Sequence, residues 1–141
     1  MTLVLMRVDR EGRYVFAGGH EPLLILRQGG DHCELVETPG PWMGILPNLG
    51  KNLCESQGQL FPGDLLVLHS DGVVDAGTTK RQAFGLDRLR ACVEASREQP
   101  LDAICTRILG QATDHTCGDQ RDDMMVVLIR RTPLAAKSAA G

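Results

Sequence analysis

Residues 65–77 read Leu-Leu-Val-Leu-His-Ser-Asp-Gly-Val-Val-Asp-Ala-Gly. An unbroken aliphatic run of this length, following the turn signal Phe61-Pro62-Gly63-Asp64, marks a buried strand over Leu65–His69. The strand ends on Asp71, Gly72 and a further acid, Asp75. A plain turn accounts for Asp-Gly. It does not so easily account for another carboxylate four residues on, with Val73 and Val74 between the two.

A second acidic pair answers the first. Gln120-Arg121-Asp122-Asp123 directly precedes the apolar run Met124–Ile129, which reads as the closing strand. In antiparallel neighbours the end of one strand meets the start of the other, so Asp71 and Asp75 are expected beside Asp122 and Asp123. Carboxylates driven together repel, and a shared cation relieves that repulsion. An all-oxygen Asp cluster suits a hard ion, Mg²⁺ or Mn²⁺. The alternative stands beside it: Asp-Gly is a common turn, and Asp-Asp before a strand is often a solvated loop.

The rest of the chain reads as a β-rich first half and a helical second half. Thr2–Val8 and Tyr14–Ala17 form a hairpin around Asp9-Arg10-Glu11-Gly12, and Leu23–Leu26 and the weaker Cys33–Glu37 follow as strands. Thr38–Gly50, with three prolines and three glycines, is a long loop, and Asn52–Leu60 can form another strand. Gly77–Gln82 is a polar loop. Leu86, Leu89, Cys92 and Val93 mark one helix. Pro100 opens a second, with Leu101, Ile104, Cys105, Ile108, Leu109 and Ala112 on one face. The pattern predicts an α+β fold, an antiparallel sheet or sandwich with helices packed on a face. One domain over 1–131 and a loose tail over 132–141 complete the expected organisation.

Composition excludes several classes. A net charge of −3 and a pI near 5.8 offer no basic face for nucleic acid or an anionic membrane. The apolar runs 65–68 and 124–129 are far short of the ~20 residues that span a bilayer. Five cysteines, odd in number and without a C-x-x-C pair, fit reduced thiols in a cytoplasmic protein. Cys92 and Cys105 are expected to be small core residues. The stretch Asp114-His115-Thr116-Cys117-Gly118-Asp119 has one His and one Cys, with no second pair at ligand spacing, and reads as a polar loop and not a zinc site.

Five stretches, in order between residues 16 and 129, resemble the stage II sporulation protein E-like phosphatases, members of the metal-dependent PPM class of protein serine/threonine phosphatases. They are FAGGHEPLLIL (16–26), PWMGI (41–45), FPGDLLVLHSDGVVDA (61–76), FGLDRL (84–89) and QRDDMMVVLI (120–129). The resemblance implies a PPM-like α+β architecture, two stacked antiparallel sheets with flanking helices. It implies that Asp71 and Asp122 hold the first of two Mn²⁺ or Mg²⁺ ions and are the catalytic positions. It places Gly72 beneath Asp71 in a tight turn, and Asp123 beside Asp122, orienting rather than ligating. Asp75 and His20 match accessory positions near the metals or the phosphate. For His20 a hairpin-turn histidine bonded to local backbone is an equal reading. Asp64 belongs to the Pro-Gly-Asp turn and is structural.

In the family's chemistry two metals activate a bridging water for in-line attack on a phosphoserine or phosphothreonine. The implied substrate is a bacterial signalling phosphoprotein such as an anti-sigma-factor antagonist. Two departures bear on this. Met125 stands where the family has Thr, removing a hydroxyl that supports the site. The Gly-Asp-Val-x-Gly-His-Gly-like motif that supplies the metal-bridging aspartate is absent from residues 1–141, so the resemblance covers the C-terminal part of the family's domain. Without the leading elements, apolar surface and strand edges are expected to be uncovered. Self-association as a homo-oligomer, pairing with a separate N-terminal piece, or poor stability would follow. A light-scattering monomer with a cooperative melt would argue against all three. Two other functions stay open: a non-catalytic module of the same fold that binds a protein partner, and a generic metal-binding or structural α+β domain.

Overall fold

The computed structural model describes residues 2–44, 48, 53–77 and 83–133. Among the described residues, seven strands and three helices follow in the order β1 (Leu3–Val8), β2 (Arg13–Gly19), β3 (Leu23–Leu26), β4 (Cys33–Val36), β5 (Glu55–Gln59), β6 (Leu65–His69), α1 (Asp71–Val74), α2 (Gly85–Glu94), α3 (Leu101–His115) and β7 (Val126–Arg130). The strands form two antiparallel sheets, ordered β1-β2-β5 and β4-β3-β6-β7.

The aliphatic runs of β3 and β6 lie at the centre of the larger sheet, where both faces are covered. Alternation of side chains along a strand then sends successive residues to different cores. Leu23, Ile25 and Leu66 face the smaller sheet and pack with Tyr14, Phe16 and Leu60. Leu24, Leu26, Leu65 and Val67 face the helices and pack with Val73, Leu89, Val93, Ile104 and Ile108. The result is three layers: sheet, sheet, helices. Each fully buried aliphatic side chain contributes about 1.5–3 kcal/mol relative to exposure, so this alternation is the main source of cohesion.

In α3 the buried stripe narrows to Ile104, Ile108 and Ala112, one residue per turn. Cys92 is buried as expected, but Cys105 is only half-buried, because it lies at the margin of that stripe. The 114–119 segment also differs from expectation. Asp114 and His115 complete the last turn of α3, and buried Thr116 caps it with a hydroxyl that donates to the Thr113 carbonyl at 2.8 Å. β3 is the most enclosed strand: all four of its residues are buried, whereas Leu68 of β6 is half-buried.

The outer face of the smaller sheet has no layer over it among the described residues. Leu5 is 68% exposed there, beside Val15 and Ala17. None of the described helices is long and apolar enough to cross a membrane. Ile45 of the 41–45 motif, Asn52 of the expected strand, 78–82 of the expected loop and 134–141 of the expected tail lie outside the described residues.

Candidate functional site

The β6–β7 ladder carries the acidic segments to one end of the larger sheet. His69 pairs with Val126, and the ladder continues one step further. The Ser70 amide donates to the Met125 carbonyl at 3.0 Å, and the Met125 amide donates to Ser70 Oγ at 2.9 Å. Ser70 Oγ in turn donates to the Asp123 carbonyl at 2.9 Å. One hydroxyl therefore ties the residue before Asp71 to the residue after Asp122.

Beyond Ser70 the chain turns into the single helical turn α1, where the sequence implies a tight turn at Gly72. Its first residue is Asp71, and the Asp75 amide closes it on the Asp71 carbonyl at 2.7 Å. Gly72 serves a purpose other than the one expected. It is helical, and what it provides is close approach: a Cβ there would lie 2.3 Å from the Asp123 carbonyl oxygen. Only a residue without a side chain lets the two acidic segments touch through their backbones.

Asp71, Asp75, Asp122 and Asp123 are all exposed. Asp71 accepts the Gly72 amide at 2.9 Å, and Asp122 accepts the Asp123 amide at 2.8 Å. From the sequence, a shared cation is one way to relieve crowded carboxylates there, and a solvated loop is the other. Exposure changes that balance, because water screens the charges without an ion.

The carboxylates also line different cavities. Asp71 faces one of about 570 Å³ with His20, Glu21, Thr38 and Trp42. Asp75 and Asp122 face one of about 240 Å³ with Asp119, Arg121 and Met124. There, Arg121 pairs with Asp119 at 2.6 Å. Among the described residues no group of three His, Cys, Asp or Glu side chains is placed to hold a metal ion. The donor chemistry, hard oxygens from two chain segments in backbone contact, fits Mn²⁺ or Mg²⁺ as a partial set that water would complete.

His20 holds its place through its main chain. Its amide donates to Thr38 Oγ1 at 2.9 Å, and the same hydroxyl donates to the His20 carbonyl. Its half-buried side chain lines the Asp71 cavity, so local backbone bonding and a place beside the site coexist. His69, two residues before Asp71, is buried; burial pushes its pKa down and outweighs the opposing Ser70 carbonyl, so it is a neutral core imidazole. Asp64 is structural, as expected, and only 2% exposed.

Trp42, Glu21, Asp119 and Arg121 escaped the sequence reading as site residues. Arg121 stood next to the quoted acids and Trp42 inside a quoted motif. Nothing in their spacing, however, signals a cavity formed by residues some thirty to fifty positions apart.

Two stacked antiparallel sheets with helices on the outer face of one, and aspartates at neighbouring strand ends, define a PPM phosphatase-like fold. The chain belongs to the family described as Stage II sporulation protein E (SpoIIE), whose model matches residues 1–132. It is 32% identical over 117 residues to Protein IcfG of Synechocystis sp. (strain ATCC 27184 / PCC 6803 / Kazusa), covering 80% of this chain and 17% of that protein. The phosphatase domain of the cell fate determinant SpoIIE from Bacillus subtilis, presoaked with Mn, superposes with a TM-score of 0.70 at 21% identity. That match covers 96% of this chain and 59% of the domain. The RsbU and RsbW domains of Rv1364c from Mycobacterium tuberculosis give a TM-score of 0.75 at 20% identity, over 95% of this chain and 37% of that one. The chain thus spans less than two thirds of each of these relatives.

Proposed function

We propose that the chain acts within a metal-dependent phosphoprotein serine/threonine phosphatase of cytoplasmic bacterial signalling. The observation that carries this reading is the backbone contact between Gly72 and Asp123, which sets Asp71 and Asp122 on adjoining chain segments in a fold of this family. Asp71 and Asp122 would hold a Mn²⁺ or Mg²⁺ ion, in a centre that is binuclear in the full family domain. When bound, such an ion activates water and neutralises phosphoryl oxygens. The residues of this chain do the positioning. Ser70 fixes the two segments, Gly72 keeps them close, and Asp75, Asp123 and His20 border the site. The likeness to RsbU and SpoIIE domains supports a protein substrate of the anti-sigma-factor antagonist kind. The exposed Leu5 face of the smaller sheet supports self-association or pairing with a further piece of the domain.

Mn²⁺-dependent hydrolysis of p-nitrophenyl phosphate by the chain, abolished in Asp71→Asn, is the expected result. The absence of a three-ligand cluster among the described residues favours a second reading, a non-catalytic module that binds a protein partner. A folded chain with no Mn²⁺-dependent hydrolysis would decide for that module.

A further inference from the structure

The edges of the two sheets are not equally protected. Among the described residues four strands have a free edge: β1 and β5 in the smaller sheet, β4 and β7 in the larger. An unpaired edge invites another chain, and charged residues along it are the usual deterrent. β1 carries Arg7, β4 carries Glu34 and β5 carries Glu55. β7 has no charge between Asp123 and Arg130; the run is Met124-Met125-Val126-Val127-Leu128-Ile129. Met125 is 64% and Val127 45% exposed, beside a strand whose Leu66 and Val67 are wholly buried.

The hydrogen-bond phase of β7 fixes what its outer edge offers. The Ser70 amide meets the Met125 carbonyl and the Arg131 amide meets the Asp64 carbonyl, each at 3.0 Å, so the odd-numbered residues bond toward β6. The amides and carbonyls of Val126 and Leu128 therefore point outward, with no strand beyond them among the described residues. The side chains of Met124, Val126 and Leu128 pack toward the helices, and that of Ile129 packs toward the smaller sheet. By alternation Asp123, Met125, Val127 and Arg131 share the face of Ile129.

This edge is complementary to itself. Two antiparallel copies related by a two-fold axis at Val127 pair Val126 of one with Leu128 of the other, and both of these bond outward, so the phase is correct. The same register sets Val127 against Val127, Met125 against Ile129 and Asp123 against Arg131. Apolar residues meet at the centre and opposite charges meet at both ends. Arg131 spends Nη1 on the Leu60 carbonyl at 2.7 Å and keeps its other nitrogens for such a pairing. The neighbouring registers of the same phase lose this match, since they put Asp123 opposite Ile129 or Arg131 opposite Met125. We propose that the chain self-associates as a two-fold dimer through β7, which joins two copies of the larger sheet into one continuous sheet. The contact leaves the Leu5 face for a further piece of the domain, and it does not rest on the phosphatase reading.

Sedimentation equilibrium of the full chain over a range of concentrations is expected to show a monomer–dimer equilibrium. Val127→Lys sets two ammonium groups against each other at the axis and should weaken the dimer by about tenfold or more. Asp123→Arg should also weaken it by about tenfold, and combining it with Arg131→Asp should recover most of that loss. Leu5→Lys, on the outer face of the smaller sheet, should leave the equilibrium unchanged. Circular dichroism establishes that each variant compared is folded, and Val127→Lys decides the matter if the double variant is not. A monomer at every concentration, a dimer that survives Val127→Lys, or one that Leu5→Lys abolishes would overturn the proposal. A folded double variant that dimerises no better than Asp123→Arg alone would overturn it as well.

Discussion

Replacing Asp64 by alanine removes one acceptor from three donors. The Gln28 amide donates to Oδ1 at 2.8 Å, the Phe61 amide to Oδ2 at 2.9 Å, and Arg27 Nη1 to Oδ2 at 2.8 Å. Arg27 keeps its second partner, Glu34, at 2.8 Å, so it is not stranded. The two amides are. A buried donor left without a partner costs about 1–3 kcal/mol, so Asp64→Ala should destabilise the chain by about 3 kcal/mol, a large share of the roughly 5–15 kcal/mol that holds a domain together. Asp64→Asn keeps one carbonyl acceptor but turns an NH₂ group toward either Gln28 or the Phe61–Arg27 side, and about 2 kcal/mol of loss is expected.

The charge state adds a pH signature. Burial by itself would raise the Asp64 carboxyl; the Gln28 and Phe61 amides and then Arg27 outweigh it and hold the group below its ordinary 3.8. The folded pKa lies under the unfolded one. The stabilisation is therefore complete above about 3.8 and disappears as the pH falls through the lower folded value. Urea unfolding followed by circular dichroism, near neutral pH and again in that acid window, measures both effects. An Asp64→Ala variant within about 0.5 kcal/mol of the parent at neutral pH would refute the reasoning, as would a variant difference that grows on acidification.

Three further outcomes follow from the geometry. Gly72→Ala forces a Cβ against the Asp123 carbonyl, so a loss of about 1–3 kcal/mol is expected, along with weaker Mn²⁺ binding by calorimetry. Gly110→Ala on the open face of α3, where a Cβ meets nothing within 4 Å, should instead stabilise by about 0.5–1 kcal/mol; identical behaviour of the two variants would count against the close-approach argument. Thiol reactivity should sort by burial. Cys54 and Cys117 are exposed, whereas burial, reinforced by Glu94, pushes the Cys33 thiol up to about 12, and burial also raises Cys92. A thiol reagent near neutral pH should label Cys54 and Cys117 at once and Cys33 only on unfolding; rapid native labelling of Cys33 would contradict the packing of β4 against α2.

Local sequence determined the elements whose physics is local. Leu23–Leu26 and Leu65–His69 came out at their observed bounds, because an unbroken aliphatic run between turn residues has few other uses in a small α+β chain. The antiparallel logic that brings the end of β6 to the start of β7 was equally legible, since it needs only strand polarity. The family was legible too, in the ordered stretches from Phe16 to Ile129. Tertiary structure alone decided the rest. Whether Asp71 and Asp122 are buried or bathed in water depends on what stands around them, and that exposure removes the electrostatic compulsion inferred from crowding alone. Gly72 is required by a contact with Asp123, fifty-one positions away, and not by its own backbone angles. Trp42, Glu21 and Asp71 share a cavity because main-chain bonds pin one loop to the end of β2. Periodicity records what each residue does within its own element; only packing records which elements meet.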